Sequence, residues 1–299
     1  MAKKIAIGSW AYCFGPYANN PVSLEETVNK LAELKFDGIE LCGFPPHANP
    51  DDYPKKGDRK KLKDLIAGKG LGIAGYAANF MNVPPATATD KDYLACFKKN
   101  VKMCVDLGIP KIRVDTVSPP PYPQGMSAGE GMKKIAKVWK KAAQVAQDNG
   151  ILMVWEFEPG FAYNKPSEVV KMIDAVGHPN FTILYDACHA HMCAVVAARQ
   201  AEPVEKLKGG AVEFAGMLKG KIGHIHLIDS DNTLHGNETS THAPFGQGVL
   251  DFDKIMPAIL AAGYTDEWWS VDLCFWPQAW DVTAEAKKFL DGLRAKYGS

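Results

Sequence analysis

The sequence predicts a single (β/α)₈ barrel domain over residues 1–299, because one unit recurs along the chain: a helix-like segment ends in glycine and runs directly into a short β-branched stretch. Strict alternation of that kind requires parallel strands with right-handed crossovers, and a long series of them closes most simply on itself. An open, doubly wound sheet is the competing architecture. It ordinarily brings a glycine-rich phosphate loop after the first strand, and Gly8-Ser9-Trp10-Ala11-Tyr12 has no such pattern.

Taken in order, the strand candidates are residues 5–8, 39–41, 71–76, 111–115, 151–158, 181–185, 222–228 and 268–271. Gly38, Gly70, Gly108, Gly150, Gly220 and Gly263 each stand just before one of them. Amphipathic stretches with apolar residues at helical spacing lie between, at residues 23–34, 90–107, 132–149 and 282–297. Ser23 with Glu26 forms a capping-box signature at the first. The proline-rich runs Val83-Pro84-Pro85 and Pro119-Pro120-Pro121 follow the third and fourth strands and read as rigid loops at the barrel mouth.

Composition narrows the function. Lys plus Arg and Asp plus Glu both total 34, so no net field gathers nucleic acid or an anionic membrane, and a small neutral substrate fits better. Residues 1–8 read as a first strand without the longer apolar run of a signal peptide, which points to the cytoplasm. Seven cysteines without a Cys-x-x-Cys pair suit a reduced compartment, with Cys42, Cys96 and Cys104 as small packing residues.

Barrel active sites form at the carboxyl ends of the strands. The polar residues there are Glu156 and Glu158, Asp186 and His189, His224, His226 and Asp229, and Asp272. The period of two puts Glu156 and Glu158 on one face, which calls for a cation; the plainer alternative is that one caps a loop or pairs with Arg113. Asp186 could equally cap a helix. His226 stands out from ordinary core histidines because carboxylates recur at its level on neighbouring strands, whereas His224 suits a core or supporting role. Three carboxylates and one imidazole favour Mn²⁺, Mg²⁺ or Co²⁺, with Zn²⁺ admissible. Trp10, Tyr12, Phe44, Tyr76, Phe80 and Tyr122 are placed to stack on the apolar face of a substrate or simply to pack, and Phe275, Trp276 and Trp280 form either an aromatic wall or an oligomer contact.

The order of motifs resembles the xylose isomerase-like barrels, the superfamily of sugar phosphate isomerases and epimerases that also holds ketose 3-epimerases and endonuclease IV. The carriers are Glu156-Phe157-Glu158-Pro159-Gly160-Phe161, Asp186-Ala187-Cys188-His189, His226-Leu227-Ile228-Asp229, Gly246-Gln247-Gly248-Val249-Leu250-Asp251-Phe252, and Gly263-Tyr264 before Ser270-Val271-Asp272. The resemblance implies one divalent metal on Glu156, Asp186, His226 and Asp272. It also implies catalytic roles among Glu156, Glu158, His189 and Asp272, and substrate contacts from Glu158 and His189, to which the residue reading adds Trp10, Tyr12 and Arg113.

The implied reaction is isomerisation or epimerisation of a sugar, by proton abstraction beside a metal-chelated carbonyl through an enediolate. Asp272 departs from the pattern, since the family usually carries Glu there and the epimerases use it as one of two bases; Glu158 or His189 then supplies a base. That departure raises a rival reading, a lyase or deglycosylating enzyme acting on 3-keto glycosides. An endonuclease IV-like repair enzyme is disfavoured by the balanced charge. A non-catalytic sugar-binding barrel is the non-enzymatic reading, and self-association is left open.

Overall fold

The computed structural model describes residues 3–298. Eight parallel strands form one sheet: β1 (Lys4–Ile7), β2 (Gly38–Cys42), β3 (Gly72–Ala77), β4 (Lys111–Val114), β5 (Leu152–Glu156), β6 (Phe181–Asp186), β7 (Ile222–Leu227) and, last in the chain, β10 (Trp268–Val271). The hairpin strands β8 (Asp229–His235) and β9 (Thr239–Ala243) stand apart from this sheet. The sheet runs in the order β1-β10-β7-β6-β5-β4-β3-β2, and a parallel bridge between Gly8 and Glu40 joins its two edges into a near-closed barrel. Every strand predicted from the sequence is present.

The helices are α1 (Leu24–Glu33), α2 (Lys56–Gly68), α3 (Asp90–Leu107), α4 (Ala128–Asp148), α5 (Pro166–Val176), α6 (Ala187–His191), α7 (Gly210–Met217), α8 (Phe252–Ala261) and α9 (Ala279–Tyr297). Ser23 and Glu26 cap α1 reciprocally, as their spacing predicts. Ser127 and Glu130 do the same for α4, which therefore begins before residue 132, where the apolar pattern alone would start it. Among the described residues no helix is long and apolar enough to cross a membrane.

Two differences from the sequence reading bear on the site. The fifth strand ends at Glu156 rather than at residue 158, because Pro159 and Gly160 turn the chain away from the sheet, so Glu158 stands in the following loop. After β7 the chain also forms the β8–β9 hairpin, with Asp229 opposite Ala243 and His235 opposite Thr239. Its polar sequence, Asp229-Ser230-Asp231-Asn232-Thr233, lacks the apolar alternation that marks a strand, and its pairing comes from backbone hydrogen bonds over the barrel mouth.

Side chains pointing outward from the strands pack under the helices. Trp139 of α4 lies with its ring centroid 5.4 Å from those of both Trp155 and Phe181, and its Nε1 donates to the Tyr93 hydroxyl at 2.9 Å. All four side chains are buried. Trp139→Ala is expected to cost about 3–5 kcal/mol of stability, from lost burial plus an unfilled cavity. A urea midpoint lowered at unchanged slope would show this.

Candidate active site

The carboxyl ends of β5, β6, β7 and β10 carry Glu156, Asp186, His226 and, one residue beyond the strand, Asp272. Each offers one ligand atom lying within 4.8 Å of every other. Bonds of roughly 2.0–2.6 Å to one ion allow ligand atoms up to roughly 5 Å apart, so the spacing suits a single cation. Glu156, Asp186 and His226 are withdrawn from solvent and Asp272 is nearly so. His226 Nδ1 stands 2.9 Å from Glu156 Oε1 and 3.5 Å from Asp272 Oδ2.

Asp186 does two things. Its Oδ1 accepts the backbone N–H of His189 at 2.7 Å and so caps α6, while its buried Oδ2 has no hydrogen-bond partner. A buried carboxylate oxygen left without a donor is costly, and it is the atom a cation would engage. Burial, with the neighbouring Glu156 and Asp272, pushes the Asp186 carboxyl up to about 7 against the pull of His242. Burial would raise Glu156 as well, but Arg113 and His226 hold it down at about 2. A divalent charge among these groups would favour ionisation of them all. Residues and chemistry thus fit a metal ion.

Beside this cluster lies a cavity of about 460 Å³, lined by Trp10, Arg113, Glu158, His189, His242 and Asp272 among others. Arg113 of β4 is held by Asp115, whose Oδ1 accepts from Nε at 3.0 Å, and by Glu156 Oε2, 2.5 Å from Nη1; Glu158 Oε1 lies 4.0 Å from Nη2. Thr239 Oγ1 donates to Glu158 Oε2. Burial pushes Glu158 up to about 7, opposed by Arg113. His189 Nδ1 pairs with Ser240 Oγ at 2.8 Å, its Nε2 stands 4.0 Å from Glu158 Oε2, and burial together with His242 lowers its pKa to about 3. Trp10 Nε1 donates to Asp272 Oδ1 at 2.8 Å, an oxygen that also accepts the Cys274 N–H at 2.8 Å.

The outer cavity is aromatic. Phe14, Phe44, Phe161 and Phe275 line it. Phe14 meets Phe44 edge-on and stacks on Phe275. Three of the lining residues, Val117 (φ 59°), Arg199 (φ 55°) and Phe275 (φ 64°), have left-handed backbone conformations, which are strained for such side chains.

Several sequence expectations need correction. Tyr12 does not reach the cavity: after β1 the chain winds into a 3₁₀ turn, Ser9–Tyr12, so residues two apart no longer share a face. Tyr12 instead pairs with Thr283 Oγ1 at 2.7 Å and packs edge-on against Trp280. Tyr76 donates to Ala48 O, Phe80 stacks on Tyr93, and Tyr122 donates to Glu168, so these three serve packing. Asp229 is not a ligand either. Its two oxygens accept the backbone N–H groups of Ser230, Gly246, Gly248 and Leu250 at 2.9–3.1 Å. The Gly246-Gln247-Gly248 segment wraps this carboxylate so closely that a Cβ on Gly248 would sit 2.3 Å from Asp229 Oδ1.

Sequence reasoning missed His242, Thr239 and Ser240, all from β9, and Glu40 from β2. His242 is buried, its ring centroid is 4.8 Å from that of His189, and its Nδ1 lies 3.3 Å from Asp272 Oδ1. The hairpin carried no periodic signal, and Glu40 lies on the far side of the barrel from the other carboxylates.

The family model for xylose isomerase-like TIM barrels matches residues 28–293. The chain belongs to that family. It is 23% identical over 251 residues to fructoselysine 3-epimerase of Shigella flexneri, covering 81% of this chain and 82% of the relative. Over 295 residues it is 25% identical to inosose isomerase of Bacillus velezensis, covering 91% and 96%. Among solved structures, that of the IOLI protein with a bound zinc atom superposes with a TM-score of 0.75 at 20% identity over 99% of both chains. D-psicose 3-epimerase of Clostridium cellulolyticum, with D-tagatose, gives 0.70 at 18% identity over 98% of both.

Asp186→Asn keeps the oxygen that caps α6 and removes the charge facing the cluster. Calorimetric titration with Mn²⁺ is expected to show affinity reduced beyond the ~10–100-fold typical of supporting residues. The metal-free variant should melt no lower than the parent, because a buried repulsion has been relieved.

Proposed function

We propose that this chain is a metal-dependent carbohydrate isomerase or epimerase that removes a proton from a carbon next to a carbonyl. The observation that carries this reading is the convergence of Glu156, Asp186, His226 and Asp272, with the unpartnered Asp186 Oδ2 among them, beside a cavity holding Glu158 and His189. The names of the relatives, fructoselysine 3-epimerase, inosose isomerase and L-ribulose 3-epimerase, lie in the same reaction class. Glu156, Asp186, His226 and Asp272 would hold a divalent cation, which would supply Lewis acidity beside the substrate carbonyl. The oxygen-rich donor set favours Mn²⁺, Mg²⁺ or Co²⁺, and Zn²⁺ is tolerated by the same groups.

Glu158 is the base. It lines the cavity, Thr239 orients one oxygen, and burial makes it a better proton acceptor than an exposed glutamate. Arg113 steadies its ionised form from 4.0 Å. His189, fixed through Nδ1 to Ser240 and kept neutral by burial, presents Nε2 toward a substrate oxygen. Burial would lower the pKa of His242, across from it, but the nearby Asp272 pulls it up to about 9, which suits a donor to a developing oxyanion.

A second reading has specific support. Asp272 Oδ1 is engaged by Trp10 and Cys274, which leaves this shortened residue poorly placed as the second base of an epimerase. The aromatic outer cavity also offers room for an apolar group attached to the sugar. Both features suit elimination from a 3-keto glycoside, in which the same proton is removed and the C–O bond to the substituent breaks. Product analysis separates the two: an isomerised sugar with nothing released, or a released aglycone.

Incubating the purified protein with a panel of free ketoses, sugar phosphates and keto-glycosides should reveal turnover with at least one substrate. Chelation should abolish it and Mn²⁺ restore it; full activity after exhaustive chelation would overturn the reading. Glu158→Gln is expected to lower kcat by about 10²–10⁴-fold, the usual worth of a positioned base, while leaving Mn²⁺ affinity nearly unchanged. Steady-state rates and a parallel titration check both halves.

A further inference from the structure

Glu40, on β2, is fully enclosed in the barrel and stands on the opposite wall from the strands that carry the metal ligands. Its Oε2 lies 2.8 Å from His224 Nε2 and 3.2 Å from His226 Nε2. Lys111 of the barrel floor is directed to Asp266 Oδ1 at 2.8 Å. A carboxylate held this deep costs stability relative to a well-packed apolar residue, so its partners must account for it.

The backbone makes room for it on purpose. The β2–β3 register slips between Ile39 and Glu40, setting Glu40 opposite Gly75, and a Cβ on Gly75 would stand 3.1 Å from Glu40 Oε1. The bulge and the missing side chain together let the carboxylate reach across the axis.

We infer that Glu40 is the positioning residue for the metal-ligating His226: by accepting the Nε2 hydrogen, it leaves Nδ1 as the free electron pair facing Glu156, Asp186 and Asp272. The two ring nitrogens point to opposite sides, one to the cluster and the other to Glu40, so fixing a hydrogen on Nε2 decides both the tautomer and the ring orientation. His224, bound to the same oxygen at 2.8 Å and without a partner at Nδ1, fixes the carboxylate in turn. This inference rests on the four-ligand metal reading above.

The test uses Co²⁺ and Zn²⁺ as probes on the chelator-stripped full chain. For Glu40→Gln, calorimetric and absorption titration with Co²⁺ is expected to show binding about 10–100-fold weaker than the parent, the range for loss of such a support. In the Zn²⁺-loaded parent, ¹⁵N-histidine NMR is expected to show His226 coordinated through Nδ1, with a strongly downfield Nε2–H that moves upfield in the variant. A purely structural role would lower the melting temperature without altering that resonance. Co²⁺ affinity equal to the parent's, or coordination of His226 through Nε2, would overturn the inference; the NMR reading on the parent stands even if the variant does not fold. Failure of the parent itself to bind either metal would reject the metal reading instead.

Discussion

Glu156, Asp186 and Asp272 approach one another where water has little access, and carboxylates so placed repel unless positive charge stands among them. Much of the architecture answers that constraint. Arg113 reaches in from β4 to Glu156, His226 lies between Glu156 and Asp272, and Glu40 backs His226 from below. The four clustered residues come from strands adjacent in the sheet, β5, β6, β7 and β10, so one wall of the barrel is acidic. The facing wall, β1 to β4 with their loops, contributes the groups that hold or cover it: Trp10, Glu40 and Arg113. Closure through Gly8 and Glu40 brings these walls face to face.

Most of the barrel was legible because the repeated glycine-to-strand transition is a local signal, as at Gly70 before β3 and Gly150 before β5. The convergence of Glu156, Asp186, His226 and Asp272 was legible for a related reason: strand ends are marked by the same pattern that marks the strands, and the barrel rule gives their common destination. What the sequence concealed depended on backbone geometry rather than on residue type. Tyr12 turned outward because a 3₁₀ turn replaced the strand's alternation, and Asp229 turned toward the amide of Ser230 and three amides of the glycine-rich loop. Glu40 required a register slip that no periodicity reveals. His242 required a hairpin whose polar strands pair only in the folded molecule.

Asp272 shows how one methylene can redirect a site. A longer side chain could bind a cation and still present a free oxygen to substrate; this shorter one has Oδ1 taken by Trp10 and the Cys274 amide, which leaves Oδ2 for the cluster. Its position is thereby rigid, and rigidity at a ligand favours pre-organised binding over mobility. Among the titratable side chains left facing the cavity are Glu158, His189 and His242. Two of these are fixed by hydroxyls of β9: Thr239 holds Glu158 and Ser240 holds His189.

That division of labour makes the excursion between Asp229 and Ala243 a detachable module. Glu156, Asp186, His226 and Asp272 are fixed by sheet pairing, which cannot change without disturbing neighbouring strands, whereas the hairpin is anchored at its base by the Asp229 carboxylate and by the Asp229–Ala243 pairing. Drift or engineering in Glu238, Thr239 and His242 can therefore reshape the lining of the cavity while the scaffold beneath is inherited intact.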